Sequence, residues 1–459
     1  MRRRLRMDII SRKTFFGIVN CMLFSCAPVY ATDLMQIYQL AVDNDAHLQA
    51  SKYEFQATSE AIDQAIAGLL PDISAEGSHT ETEQEIISSD NTVFAGAGST
   101  SFSTETYSIT INVPVFRFDS WMRFSQSYEI VKQAKSELLA AQQQLMYDTT
   151  EAYFNILAAE DKLDYSQSER KALSSQLELA QEKTNEGLST EIDLLDIQAR
   201  YANAESEVVE AESTLDDSYR ALQVFTNQFL VDLNILQTGI PLIKPESENI
   251  DEWINIAFAQ NYTLAAKRYA IEVAKEEKTR QYGGHLPTID LVGSFNNRNT
   301  SGSLFGGGSE VETYDLELRM NVPLFQGGRV LSLTREAKFR LSQAKREYEA
   351  ERRTLERETR ASYQGILSGI KKVTALKKAV TFQLRALESK QESLNAGLNT
   401  TLEVLDAQRD LHYVQREHSQ ARYDYLLNIL RLKKSGGTLN PQDLQAFNKL
   451  LKVKDTEIN

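Results

Sequence analysis

The sequence predicts a mainly α-helical chain with a transmembrane β-barrel part: long coiled-coil helical hairpins, and four β-strands per chain contributing to a barrel shared between copies. Three observations lead there. The chain repeats itself about 210 residues on: Gly187-Leu188-Ser189-Thr190-Glu191-Ile192-Asp193 returns as Gly397-Leu398-Asn399-Thr400-Thr401-Leu402-Glu403, and Asn112-Val113-Pro114-Val115-Phe116 as Asn321-Val322-Pro323-Leu324-Phe325. Each copy holds a long stretch, Asp119 to Glu186 and Arg329 to Ala396, free of proline and nearly free of glycine. Each also holds two segments in which apolar and polar residues alternate. A duplication that keeps turn glycines, prolines and carboxylates implies two similar units lying side by side.

Residues 1–31 have the form of an export signal. Arg2, Arg3, Arg4, Arg6, Arg12 and Lys13 precede an apolar run from Phe15 to Phe24, and Val29-Tyr30-Ala31 offers a cleavage site before Thr32. The run is too short to span a bilayer. Leu23-Phe24-Ser25-Cys26 loosely resembles a lipoprotein processing site, an alternative with Cys26 acylated, although Phe24 fits that pattern poorly.

The first repeat occupies 32–235. Ile73, Ala75 and Gly77 alternate with polar residues, as do Tyr107, Ile109, Ile111, Val113 and Val115, so each segment reads as a strand with one apolar and one polar face. The polar stretch from Glu85 to Thr104 between them reads as an exposed loop. The following stretch of strong helix formers, about 65 residues long, would make a helix of about 100 Å. Gly187 marks its left-handed cap and the reversal of the chain. On the return helix Ile192, Leu195, Ala199 and Ala202 step by three and four, predicting a coiled-coil seam.

A linker at 236–249 carries Pro241 and Pro245, and the second repeat at 250–435 follows the same plan. Ile289, Leu291, Gly293 and Phe295 alternate, as do Tyr314, Leu316, Leu318, Met320 and Val322, with a polar loop from Asn297 to Thr313. The polar face of the last strand carries Asp315, Glu317, Arg319 and Asn321, which suits a water-filled lumen with the apolar face toward lipid. Pro71, Pro114, Pro287 and Pro323 form two repeat-related pairs, predicted at strand–helix junctions, and Pro441 marks a C-terminal tail at 436–459. Phe116, Phe118, Trp121 and Phe325 directly follow strands and fit an interfacial aromatic girdle.

Composition narrows the function. Both cysteines lie in the signal, so a mature chain has no disulfide, thiolate metal site or cysteine nucleophile. Removing the signal takes the formal charge from −14 to about −19, which repels nucleic acid. The basic stretch Lys345, Arg346, Arg352, Arg353, Arg357 and Arg360 is interleaved with acidic residues and reads as a solvated helix face. His47, His79, His285, His412 and His418 include no metal-ligand spacing, and no nucleophile–base pattern or phosphate loop is present, so neither an enzyme nor a cofactor is expected. Four strands cannot close a membrane barrel, whose minimum is about eight, so the chain must oligomerise; two, three or four copies satisfy that count.

These features resemble the TolC family of outer-membrane efflux and secretion channels. The resemblance runs from Leu34-Met35-Gln36-Ile37-Tyr38 to Gly437-Thr438-Leu439-Asn440. It includes His285-Leu286-Pro287-Thr288-Ile289-Asp290-Leu291, Pro323-Leu324-Phe325-Gln326-Gly327-Gly328 and the two Gly-Leu tips. It implies a homotrimer in the outer membrane of a Gram-negative bacterium, whose shared barrel continues as an α-helical tunnel across the periplasm. It further implies a passive exit duct that opens when a periplasmic adaptor protein and an inner-membrane transporter engage it.

Four carboxylates just past the tips are the candidate gate: Asp193 and Asp196, and Glu403 and Asp406. Each pair is spaced i, i+3 on one helix face. Asp193 and Glu403 also fit capping boxes with Thr190 and Thr400, whereas Asp196 and Asp406 lie beyond the cap. The resemblance implies that acidic residues at these positions line a periplasmic constriction and bind cations. It also implies closed-state ties from a tyrosine and an arginine, where this chain has Leu394 and Asn399. The tips Gly187, Leu188, Ser189 and Thr190, and Gly397, Leu398, Asn399 and Thr400, have turn and cap chemistry, yet expose a leucine each, as a docking surface for the adaptor would. A periplasmic coiled-coil adaptor and an ungated porin-like pore are the alternative readings.

Overall fold

A computed structural model describes residues 32–88, 98–303 and 306–453. The expected signal with Cys21 and Cys26, residues 89–97 of the first loop, 304–305 of the second and 454–459 of the tail lie outside the described residues. The first repeat comprises α1 (Leu34–Asn44), α2 (Ala46–Ser59), α3 (Ala61–Ala67), β1 (Asp72–Ile86), β2 (Gly98–Phe116), α4 (Phe118–Asn185) and α5 (Glu191–Thr226). After the short β3 (Ile235–Leu236) come α6 (Ile250–Gln260), α7 (Tyr262–Tyr282), β4 (Thr288–Ser303), β5 (Gly306–Asn321), α8 (Arg329–Asn395), α9 (Thr401–Ser435), α10 (Pro441–Asn448) and β6 (Leu451–Lys452). The long helices α4 and α8 span 68 and 67 residues and carry no interior proline.

One antiparallel sheet runs in the order β1-β2-β4-β5, so the repeats meet between β2 and β4 and leave β1 and β5 as open edges. Cross-strand partners share a face. Thr110 of β2 pairs with Ser74 and Ser294, and Ser294 with Asp315, which puts these polar residues on one side. Ile109 pairs with Ala75 and Phe295, and Phe295 with Tyr314, on the other. The apolar side of β5, from Tyr314 to Met320 and on to Val322 just past the strand end, spans about 26 Å of extended chain, close to the lipid band of an outer-membrane barrel. Beyond its aromatic end the same side carries Glu81, Glu105, Glu310 and Glu312, with His79 Nε2 3.0 Å from Glu81 and Nδ1 3.4 Å from Glu105.

That extension corrects the sequence reading of the loops. Much of 85–104 and 297–313 is strand: β4 continues to Ser303 and β5 starts at Gly306. Outside the lipid both faces of a strand are wet, so side-chain alternation disappears while the backbone ladder continues. Pro71 and Pro287 immediately precede β1 and β4, and Pro323 follows β5. Pro114 lies inside β2, at the bulge between Pro114 and Phe116, where its missing N–H is tolerated. Trp121 and Phe325 are exposed as a girdle requires, but Phe118 packs its ring against Gly283 at the end of α7. Arg117, before α4, forms a two-pronged ion pair with Asp290 of β4 (2.7 and 2.9 Å), joining the repeats where barrel meets helices.

The main core is a belt around the middle of the long helices. Tyr153, Phe154 and Ile156 of α4, Ile366 of α8, and Tyr425, Leu426 and Leu430 of α9 are fully buried, with Leu34 and Ile37 of α1 and Leu444 of α10. Repeat-related tyrosines tether the connecting chain to it: Tyr153 Oη donates to the Asn234 carbonyl and Tyr363 Oη to that of Glu248, both at 2.6 Å. The 436–459 segment is no loose tail in its described part. α10 contributes Leu444 and Phe447 to the core, and β6 pairs with β3.

Within one chain the expected coiled-coil seam is not the stripe that is buried. Ile192, Leu195, Ala199 and Ala202 are exposed on α5, whereas Ala204, Val208 and Ala211 are buried, Ala204 clustering with Leu173 of α4 and Leu405 of α9. α5 carries two apolar stripes of heptad spacing. Its own hairpin uses the second and leaves the first, continued by Val209, unpartnered within the chain.

Candidate functional site

The two hairpin tips lie about 100 Å from the sheet, the length of α4. Gly187 (φ 71°) and Gly397 (φ 73°) occupy the left-handed region. The next residue closes each turn, Leu188 N–H donating to the Lys183 carbonyl (2.8 Å) and Leu398 N–H to that of Ser393 (2.9 Å). The return helices start with full capping boxes, Thr190 with Asp193 and Thr400 with Glu403. Leu188 and Leu398 at the tips are 73% and 80% exposed. A groove of about 230 Å³ separates the tips, bordered by Leu179, Lys183, Asp193, Asp196, Thr400 and Leu402.

The Thr190 hydroxyl, then its backbone N–H and Ser189, hold the Asp193 carboxyl below the usual carboxylate value. A depressed folded value means that the cap is complete above the ordinary carboxylate pKa and is lost as pH falls through the depressed one. Titrating the Asp193 carboxyl carbon by NMR should give a midpoint below 3.8. Thr190→Val should bring it back up; an unmoved midpoint would refute the cap as the cause.

Asp196 and Asp406 are brought together by a residue that the sequence reading did not single out. Arg200 donates from Nε to Asp196 Oδ2 (3.1 Å) and from Nη1 to Asp406 Oδ1 (2.8 Å). It thereby ties α5 of one hairpin to α9 of the other. The bond to Asp406, with Asp196 adding, holds the guanidinium charge more firmly than usual although burial opposes it. Arg409 Nη1 stands 3.8 Å from the same Asp406 oxygen. A cavity of about 180 Å³ adjoins the clamp, bordered by Glu169, Glu207 and Arg409. Burial and the nearby Glu207 push the Glu169 carboxyl up. Asp196 and Arg200 sit at i, i+4, a legible helix pair; the reach to Asp406, 206 positions away, has no local signal. Leu394 and Asn399 take part in the second turn through their backbones, to Gly397 and Ser393. Among the described residues no cluster of His, Cys, Asp or Glu is arranged to hold a metal ion, and no helix is long and apolar enough to cross a membrane.

A sheet with a polar and a lipid-matching face, open at both edges and mounted on long helices whose hairpin tips are charged, defines an oligomeric membrane channel. The outer membrane efflux protein family model matches residues 37–228 and 253–438. The chain belongs to that family, a TolC-type exit channel of the Gram-negative outer membrane for efflux or secretion, and is not an enzyme. It is 31% identical over 427 residues to outer membrane protein TolC of Vibrio cholerae, covering 93% of this chain and 95% of that one. It is 28% identical to the proteases secretion protein PrtF of Dickeya chrysanthemi, covering 90% of each. The Campylobacter jejuni CmeC outer membrane channel has the same fold, with a TM-score of 0.75 at 15% identity over 97% of this chain and 98% of that one.

Proposed function

We propose that three copies close one barrel from their four-stranded sheets and continue as a helical tunnel that is shut at the tips. A periplasmic adaptor protein docking on the exposed tips around Leu188 and Leu398, together with an inner-membrane transporter, opens it. The open β1 and β5 edges and the unpartnered stripe Ile192, Leu195 and Val209 support pairing with further copies. The duct itself is passive.

The observation that carries the gate is the Arg200 bridge between Asp196 and Asp406. Around one axis, Asp193, Asp196, Glu403 and Asp406 of every copy repel one another, and Arg200 offsets part of that charge while holding the hairpins together. The ring attracts cations and repels anions. In planar bilayers the wild type should pass small cation-selective currents that divalent or trivalent cations block. Asp196→Ala with Asp406→Ala should weaken the block about tenfold, through the loss of paired carboxylates at the constriction. Equal block in both proteins contradicts the assignment, and large anion-passing currents from the wild type would favour an ungated pore.

A further inference from the structure

Charge is divided unevenly along this chain. It is −14 overall, yet α8 holds 16 lysines and arginines against 8 acidic residues, and α5 holds 9 acidic residues against 2 arginines. The fold puts these two helices on opposite edges. Between the belt and the tips the packed layer runs α5, α4, α9, α8; between the belt and the sheet, α2 and α3 lie on α4, α4 on α7 and α7 on α8. The open strands continue the same edges, since β1 follows α3 and β5 leads into α8. One edge of the chain is therefore basic and the other acidic.

Each edge carries an exposed seam of heptad spacing. On α5, Ala199, Ala202, Ser206 and Val209 are flanked by Glu205 and Glu212. On α8, Lys371, Lys378 and Arg385 recur every seventh residue beside Phe382, which is 65% exposed. Glu210 and Lys372 are taken within the chain, by Lys162 (2.9 Å) and Glu417 (3.8 Å). Glu205, Glu212, Lys371, Lys378 and Arg385 form no ion pair among the described residues.

The heights agree as well. Lys390, near the end of α8, donates to the Glu403 carbonyl at the start of α9 (3.3 Å), and Asp406, one turn on, is reached by Arg200 of α5. Lys390 and Arg200 are thus about level, and rotation about the axis of a ring keeps them so in the next copy. Because α8 runs toward the tip and α5 away from it, Arg385 falls beside Glu205 and Lys378 beside Glu212.

We propose that the duct closes head to tail along a charge-complementary seam. The basic edge of α8 in one copy lies against the acidic edge of α5 in the next, with Phe382 packed at Ser206 and Val209. Nearer the sheet the same edge, with Arg335 and Phe339, meets α2 and α3 of that copy, where Tyr53, Glu60 and Asp63 are exposed. The seam presupposes the ring of copies proposed above and adds which faces join in it. Two-fold pairing through like edges would set α8 against α8, basic on basic, whereas a head-to-tail contact repeats and closes. Each exposed pair is weak by itself, so the effect comes from the length of the seam and its repetition round the ring.

Both native cysteines, Cys21 and Cys26, lie in the expected signal, so Arg385→Cys with Glu205→Cys supplies the reactive thiols of exported protein. In outer membranes a bismaleimide spanning about 8–10 Å, the spacing of packed helices, should join copies into covalent oligomers. Either single variant should give at least tenfold less. Lys378→Glu with Arg385→Glu should lower the assembled fraction on native gels at least fivefold, and adding Glu205→Lys and Glu212→Lys should restore it. Should the charge-reversed chain fail to fold, the cross-link still decides. An assembled wild type whose double-cysteine variant does not cross-link overturns the seam and leaves the ring standing. So does Arg385→Cys cross-linking by itself, which means that like edges meet, or charge reversal that leaves assembly unchanged. A wild type that stays monomeric in the membrane removes ring and seam together.

Discussion

Arg200→Ala should leave the channel assembled but open at rest. The substitution removes the charged link between α5 and α9, leaves Asp196 without its partner and leaves Asp406 only the longer pairing with Arg409 at 3.8 Å. The groups are partly exposed, so the loss is about 1–2 kcal/mol per copy and not the value of a buried pair. That corresponds to roughly a 5- to 30-fold shift toward the open state for each clamp broken, compounding around a symmetric ring. Single-channel recording should show raised resting conductance, and assembled oligomer should run on gels as the wild type does. Arg200→Lys should fall between the two, since lysine keeps the charge but loses the planar fork that spans both carboxylates. Adding Asp196→Asn and Asp406→Asn to Arg200→Ala should restore part of the closure by removing the repulsion. Wild-type resting conductance in Arg200→Ala would remove Arg200 from the gate while leaving the channel itself intact.

Gly437→Ala should damage the fold more than any tip substitution. Gly437 ends α9 at φ 67°, in the left-handed region, and a Cβ there would overlap the backbone carbonyl of Gln260 at the α6–α7 junction. Strain and overlap add, because neither the carbonyl nor the turn can move without disturbing the belt. The turn is held by Gly437 N–H to the Lys434 carbonyl and Thr438 N–H to the Lys433 carbonyl, both at 2.9 Å. A cost of about 2–4 kcal/mol is expected. Gly436→Ala is the control, since Gly436 is right-handed (φ −70°) and its Cβ would meet only ordinary contacts at 3.5 Å. Thermal unfolding followed by circular dichroism, with the yield of assembled oligomer, should separate the two; equal stability of both variants would disprove the close approach.

The sequence was legible where structure is local. Helix formers without breakers gave the span of α4 and α8 to within a residue or two, and the Gly-Leu tips with their Thr-led caps gave both reversals. Alternation placed the membrane part of all four strands. It failed above the lipid, where Thr300 of β4 pairs with Thr104 and Ser309, and only the ladder keeps the strand. It could not tell which apolar stripe of α5 packs within its own hairpin, since Ile192 and Leu195 repeat at the same helical spacing as Ala204, Val208 and Ala211. At the proposed gate the acidic residues were visible, but Arg200 as the shared partner of Asp196 and Asp406 was not.

The sequence alone therefore determined the duplication, the hairpins, the two-faced strands and the need for further copies, because turns, caps and period are set by neighbours along the chain. Only the tertiary structure decided which stripe of α5 meets α4, how far the strands rise beyond the lipid, and that one guanidinium joins Asp196 to Asp406. Those outcomes depend on the relative placement of segments some two hundred residues apart. Their packing selects among surfaces that are equivalent in local chemistry.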